Sequence, residues 1–391
     1  MARGGAAPLQ ARFFDLSTTA QLEALTGRPV APGQRAALQR VLAALPVRLT
    51  PHLLELASAS AAVAAQYLPD PRELDPSSRG EPVPFAGLLT TGCAAVERIY
   101  RDRCVLLPVA ACPAYCRFCF RKFHRQRADA ARPPAFAELD RALAYVAAHP
   151  ELREVLISGG EPALDPERLG HLLRGLRRLD TVGPIRVACR ALVSCPELVD
   201  DRLVELLAAH QDRPSGRLVE LAVHVNHPDE LTPPTDAALA RLRAAGLHTY
   251  SQTVLLAGIN DDAAVLARLL RGLRDRGVEI YTLYYPEPLL GSDHLRPSLA
   301  RAAALKQELR RLVSGRANPR LIITTRVGKL ELGVEAEEVA READGRQVWL
   351  RTPYTLEGLR ALEPRTLALP PHCRVDEGSG RLEVRYLDGA A

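Results

Sequence analysis

The pattern of apolar positions changes character once along the chain. From residue 1 to about 95 no stretch alternates apolar and polar residues as a strand would. QRAALQRVLAALPVRL and HLLELASASAAVAAQYL instead repeat apolar residues three and four apart, which predicts amphipathic helices. Pro and Gly then gather in LPDPRELDPSSRGEPVPFAG, the composition of a connector or surface wrap. From about 104 short β-rich runs alternate with helical ones. The runs are CVLLPV (104–109), REVLI (153–157), IRVAC (185–189), LVELAVHV (218–225), HTYSQTVLL (248–256) and EIYTLYY (279–285). Strands separated by helices predict a parallel sheet. The expected fold is therefore α/β, a partial (β/α)6 barrel of TIM type, with its chemistry on the loops that follow the strands. RLIITT (320–325), QVWLRTPY and RLEVRYL predict further strands in a small C-terminal appendage. The expected organisation is a helical region and connector over 1–95, the barrel over 96–315, and a C-terminal segment over 316–391.

Composition narrows the function. The chain has 391 residues, 47% hydrophobic and 25% charged, enough for one large core. Its net charge of +5 is spread along the chain, so no nucleic-acid surface is expected. The exception is the basic stretch from Arg117 to Arg127, either a solvated run or a site for anionic ligands. No apolar run reaches the roughly 18–20 residues of a membrane span, and the N-terminal stretch lacks the apolar centre of a secretory signal. A cytoplasmic protein with no membrane partner is expected. Eight cysteines in so long a chain do not resemble a disulfide scaffold.

Three of those cysteines stand in Cys112-Pro-Ala-Tyr-Cys116-Arg-Phe-Cys119, directly after the first β-run. Zinc sites usually take four ligands, often in two separated pairs, and no matching pair stands nearby. Three thiolates on a cubane cluster leave its fourth iron open to a ligand. The second element is Ser158-Gly159-Gly160-Glu161, after the β-run REVLI. Two glycines allow close approach of the backbone to a ligand, and a carboxylate there can accept from an ammonium. Cys93, Cys104, Cys189, Cys195 and Cys373 read mostly as small buried hydrophobes.

The CxxxCxxC spacing with an aromatic before the last Cys resembles the signature of the radical S-adenosylmethionine (SAM) superfamily. That resemblance implies a [4Fe–4S] cluster on Cys112, Cys116 and Cys119. It also implies SAM bound at the open iron and contacted through Ser158, Gly159, Gly160 and Glu161. Longer stretches, including IYRDRCVLLPVAACPAYCRFCFRK, IRVACRALVSCP, HVNHPDELT and SQTVLLAGINDD, resemble the lysine 2,3-aminomutase family from about Gln66 to about Pro364. This implies a second cofactor, pyridoxal 5′-phosphate (PLP), and a free amino acid substrate. The family's residues map onto Tyr100 and Arg103 for the PLP phosphate, Arg121 for the substrate carboxylate and Lys329 for the Schiff-base lysine. The chain departs from the pattern at Ile99, where the family has an Arg, and before Lys329, where the family's glycine-rich loop is missing. Glu287 stands where lysine-specific members keep one of two aspartates for the distal ammonium.

The leading expectation is an amino acid 2,3-aminomutase, fed electrons by a flavodoxin or ferredoxin and working as a homo-oligomer. Two other readings stay open. One is a PLP-independent radical SAM epimerase, dehydrogenase or lyase acting on an amino-acid-derived metabolite. The other is an enzyme that modifies a lysine of elongation factor P. All three place SAM cleavage at the cysteine triad. Replacement of Cys116 by Ala is expected to abolish 5′-deoxyadenosine formation while the far-UV circular dichroism stays native. Continued release of 5′-deoxyadenosine would remove the triad from the chemistry.

Overall fold

The computed structural model describes residues 13–84, 91–123, 133–362 and 368–389. Its centre is a nine-stranded sheet. Seven strands are parallel: β1 (Arg103–Val109), β2 (Glu154–Gly159), β3 (Ile185–Cys189), β4 (Val219–Val223), β5 (His248–Val254), β6 (Glu279–Tyr284) and β7 (Arg320–Thr325). A helix follows each of the first six, over Phe136–Ala147, Pro166–Arg177, Asp201–Ala208, Pro233–Ala244, Ala263–Asp275 and Leu299–Leu312. The six βα units match the alternation in the sequence. The sheet then continues through RLIITT as its seventh parallel strand. Antiparallel strands flank it, Val96–Glu97 beside β1 and β8 (Gly328–Glu331) beside β7.

Strand alternation sorts the two faces. Val155 and Ile157, Ile185 and Val187, and Leu221 are buried in one apolar core with Leu139, Val146, Leu169 and Leu176 of the helices. The opposite face carries the intervening residues, among them Glu154, Arg186 and Tyr250. Arg186 pairs with Glu154 at 2.5 Å, and its guanidinium is 3.5 Å from the Tyr250 hydroxyl. The two edges of the sheet meet. The Tyr100 hydroxyl, just beyond Val96–Glu97, accepts from the Lys329 backbone N–H at 2.7 Å. The sheet is thus curled, with a polar lumen.

The N-terminal region holds the helices the periodicity predicts, over Thr19–Thr26, Pro32–Ala44, Pro51–Ala59 and Ala61–Tyr67. The last two split at Ser60, whose hydroxyl accepts from the Val63 N–H at 3.3 Å and starts a new helix. One expectation is corrected. Phe14–Leu16 and Val47–Leu49 form a small antiparallel pair that no alternation announced. Three-residue strands are too short to show a period. The helices dock on the barrel: Thr50 Oγ1 donates to the Ser194 carbonyl at 2.5 Å. At the other end Glu337–Arg341, Gln347–Thr355, Arg381–Leu387 and Cys373–Val375 form a separate four-stranded antiparallel sheet.

The turn after β2 crosses the exit of β1 at very short range. Gly160 N–H donates to the Val109 carbonyl at 2.7 Å and Glu161 N–H to that of Ala111 at 2.8 Å. A Cβ on Gly160 would stand 2.1 Å from the Ala111 oxygen, and Gly159 adopts φ +103° with the Val109 oxygen 2.7 Å from where its Cβ would be. The glycine pair is needed for backbone to pass backbone, immediately before Cys112. Gly160→Ala is expected to cost about 2–3 kcal/mol through overpacking and to lower iron uptake on reconstitution. Equilibrium denaturation together with an iron assay checks both.

Candidate active site

Cys112, Cys116 and Cys119 lie on the loop after β1, half-buried and outside any disulfide. The N-terminal helices brace this loop. Tyr115 N–H donates to the Arg48 carbonyl at 3.1 Å and Arg117 N–H to the Gln66 carbonyl at 2.8 Å. Among the described residues no three His, Cys, Asp or Glu side chains are grouped as ligands of a metal ion. A cubane makes a different demand. Each thiolate takes a separate corner, so three sulfurs on one short loop fit it without converging on one point. The donor set, three thiols with no fourth, suits a cluster with an open iron. Burial pushes the thiol of Cys104 up to about 12, and Cys189 and Cys195 are likewise buried. These three sit in the core.

Glu161 is 4% exposed, and its carboxylate is fully engaged by backbone. It accepts from Ala163 N–H at 3.2 Å, Arg190 N–H at 2.8 Å and Ala191 N–H at 2.7 Å. Burial pushes its pKa to about 7 against the pull of those amides and of Arg190. The carboxylate therefore ties the turn after β2 to the loop after β3. Any contact of this motif with a ligand's ammonium falls to the main chain of the turn.

Arg190 was not singled out by sequence reasoning, although it lies inside the stretch IRVACRALVSCP. Its guanidinium donates to Tyr67 Oη at 2.7 Å, Gln66 Oε1 at 2.9 Å, Glu230 Oε1 at 3.1 Å and the His224 carbonyl at 3.2 Å. It also lies 5.2 Å from the ring centroid of Phe118, between the second and third cysteines. The HVNHP and GIND stretches form the other half of this network. Asn226 Nδ2 donates to Gln66 Oε1 at 3.0 Å, and Asn226 Oδ1 accepts from Val254 N–H at 2.9 Å. Asn260 Nδ2 donates to the Asn226 carbonyl at 2.8 Å. These polar residues fix one loop against another. The only sequence signal available was an Arg, Asn and Glu set at strand ends, whose burial is invisible without the fold.

A second group gathers where the sheet edges meet. Lys329 is exposed, with Nζ donating to Tyr284 Oη at 3.3 Å and lying 4.7 Å from that ring's centroid. Protein crowding opposes its charge, but Tyr284, Tyr100 and Glu287 more than offset this and hold its pKa above the usual lysine value. Glu287 is bonded by Thr324, the register partner of Lys329 across the β7–β8 hairpin. Burial pushes the Glu287 carboxyl to about 7, and its Oε2 has no hydrogen-bond partner among the described residues. Arg103 stacks on Tyr100, 3.8 Å from the ring centroid, and pairs with Asp102 at 3.0 Å. Tyr100 and Arg103 thus share one locus with Lys329, which is far from them in sequence. A lysine amine, a guanidinium and aromatic faces are the groups PLP requires, so the residues fit it. Arg98 is not among them. It is buried, with its guanidinium taken by the Tyr100 and Arg101 carbonyls and Glu151.

Arg121 is engaged by Glu97 in a two-point ion pair, with Nη1 to Oε1 at 2.6 Å. Arg117 is likewise paired, with Glu73. Of the basic stretch 117–127, residues 124–127 lie outside the described residues.

The Arg190 network makes a measurable claim. Arg190→Met would leave Glu230, Gln66 and Tyr67 without their common donor. Removing one partner of a buried ion pair costs about 3–5 kcal/mol. The denaturation midpoint is expected to fall by that equivalent. A loss below about 1 kcal/mol would make the network incidental.

Comparison with known proteins gives the chain its relatives. Residues 106–270 match the family model described as the radical SAM superfamily. An L-lysine 2,3-aminomutase from Fusobacterium nucleatum is 31% identical over 73% of this chain and 66% of its own length. That of Acetoanaerobium sticklandii is 29% identical over 75% and 70%. That of Clostridium subterminale is 26% identical over 91% and 84%. No helix among the described residues is long and apolar enough to cross a membrane. The chain belongs to the radical SAM superfamily of enzymes, as a divergent member of the lysine 2,3-aminomutase family.

Proposed function

We propose that this chain is an amino acid 2,3-aminomutase that uses a 5′-deoxyadenosyl radical and PLP on a free amino acid. The observation that carries this reading is the meeting of Lys329, Tyr100 and Arg103 at the seam of the sheet. Cys112, Cys116 and Cys119 would hold the cluster. The main chain of Ser158–Glu161 would meet the amino end of SAM. Lys329 would hold the PLP aldehyde, and Arg103 with Tyr100 its phosphate. Bound there, the cluster and SAM supply a carbon radical that removes hydrogen, and PLP supplies a ring that stabilises an unpaired electron beside nitrogen.

The chain's own residues then set the rest. Arg121 presents a guanidinium fork suited to a carboxylate, and a substrate carboxylate would compete with Glu97 for it. Glu287 keeps one oxygen beside Lys329 without a partner among the described residues, where the N–H of a substrate side chain could be received. With a pKa near 7, Glu287 can hold or release a proton at neutral pH.

One observation favours a PLP-free radical enzyme instead. Arg98, the cation next to Ile99, is locked into the fold, which leaves the phosphate end thinly supplied. Borohydride reduction of anaerobically reconstituted protein with PLP separates the two. A pyridoxyl group on the Lys329 peptide, read by mass spectrometry, is the expected result. Its absence from a sample that still cleaves SAM would move the assignment to the PLP-free reaction.

A further inference from the structure

Beneath the cysteine loop one buried carboxylate faces two buried cations. Glu73 takes the Arg117 guanidinium in a fork, with Nε to Oε1 at 2.9 Å and Nη2 to Oε2 at 2.8 Å. Arg117 Nη1 adds a bond to the Leu45 carbonyl at 3.1 Å. The charge of Glu73 is thereby committed. Lys122 Nζ stands 3.6 Å from the same Oε2, beyond hydrogen-bond reach. Lys122 is 6% exposed, and its Nζ has no hydrogen-bond partner among the described residues.

The other ionisable groups around Lys122 do not correct this imbalance. Asp70 is paired with Arg72 at 2.6 Å, and the two cancel. Burial holds His294 neutral. Among the described residues the pocket therefore holds one more cation than anion, and burial disfavours the Lys122 charge, lowering its pKa, unless an anion arrives. The anion that fits lies next to it. Lys122 N–H donates to the Cys119 carbonyl at 2.9 Å, one turn from that sulfur, and negative charge there would favour the ammonium form of Lys122. Three thiolates outweigh the dipositive core of an oxidised cubane by one negative charge, and one-electron reduction adds a second.

We infer that Lys122 is the fixed counter-charge of the iron–sulfur cluster, a positioning residue that raises the potential at which the cluster accepts its electron. A nearby cation stabilises the reduced cluster more than the oxidised one, because the reduced cluster is the more negative. Arg117 cannot serve, since Glu73 already neutralises it. The inference rests on assigning the cluster to Cys112, Cys116 and Cys119 and is independent of PLP.

The test is a potentiometric titration of reconstituted full-length protein, first without SAM and then with it, followed by electron paramagnetic resonance. Iron, sulfide and thermal midpoint are measured alongside. Lys122→Met and Lys122→Gln are both expected to shift the midpoint potential negative, and Lys122→Arg to restore it. If both neutral variants fail to hold a cluster that Lys122→Arg holds, at unchanged thermal midpoint, the charge is needed for assembly and the inference stands. If that cluster loss comes with a fallen thermal midpoint, Lys122 is a residue of the fold and the inference fails. A full cluster with unchanged potential in the neutral variants overturns it. So does a shift that appears only after SAM is added, which would make Lys122 the partner of the SAM carboxylate. Wild-type protein that takes up no iron would instead overturn the cysteine assignment.

Discussion

One buried guanidinium holds the catalytic face in register. Arg190 leaves the end of β3, and its bonds reach the last N-terminal helix, the loop after β4 and, through its own amide, the turn after β2. A charge so deep in protein is tolerable only when acceptors gather round it, as they do at Nη1 and Nη2 of Arg190. That requirement works in reverse as a constraint on the loops. They have to be where the acceptors are needed. The cysteine loop inherits its place from them, since Gln66 binds Arg190 with its side chain and Arg117 with its carbonyl. The N-terminal helices, which carry none of the proposed chemistry, are thus part of the frame that shapes it.

The second locus is organised by charge rather than by hydrogen-bond geometry alone. Tyr284, Tyr100 and Glu287 hold Lys329 toward its charged form, while burial drives the Glu287 carboxyl toward its neutral form against the pull of Lys329. Arg121 and Glu97 hold each other in a neutral pair in the same part of the sheet. Arg121 thus enters as half of a balanced pair, while Lys329 carries its charge beside a carboxyl that burial brings to the edge of neutrality. A zwitterionic ligand brings one charge of each sign and could exchange partners without leaving an ion stranded. That is the electrostatic property one would ask of an amino acid site.

Much of this was legible in the sequence. Six βα units, the cysteine spacing and the glycine pair are local patterns with fixed periods, and the structure carries them where the pattern put them. RLIITT was legible as a strand but not as the seventh member of the sheet, because its run is the same whether it pairs in the barrel or in an appendage. The antiparallel pair of Phe14–Leu16 with Val47–Leu49 was too short to register. The glycines were read as making room for a ligand, and the room proved to be for the Val109 and Ala111 carbonyls. Arg121, Arg117 and Lys122 look alike on paper. Only burial and partners distinguish a guanidinium held by Glu97, another bonded to Glu73 and an ammonium that stands 3.6 Å from that same Glu73 without a hydrogen bond among the described residues.

The seam of the sheet has one further property. Tyr100 grips the main-chain N–H of residue 329, which every amino acid but proline carries. The closure of the barrel is thus indifferent to the side chain displayed there. Architecture and reactivity are inherited separately at this position, so a lineage could gain, lose or replace the amine without rebuilding the scaffold. The shortened approach to Lys329 is where such drift would leave its trace.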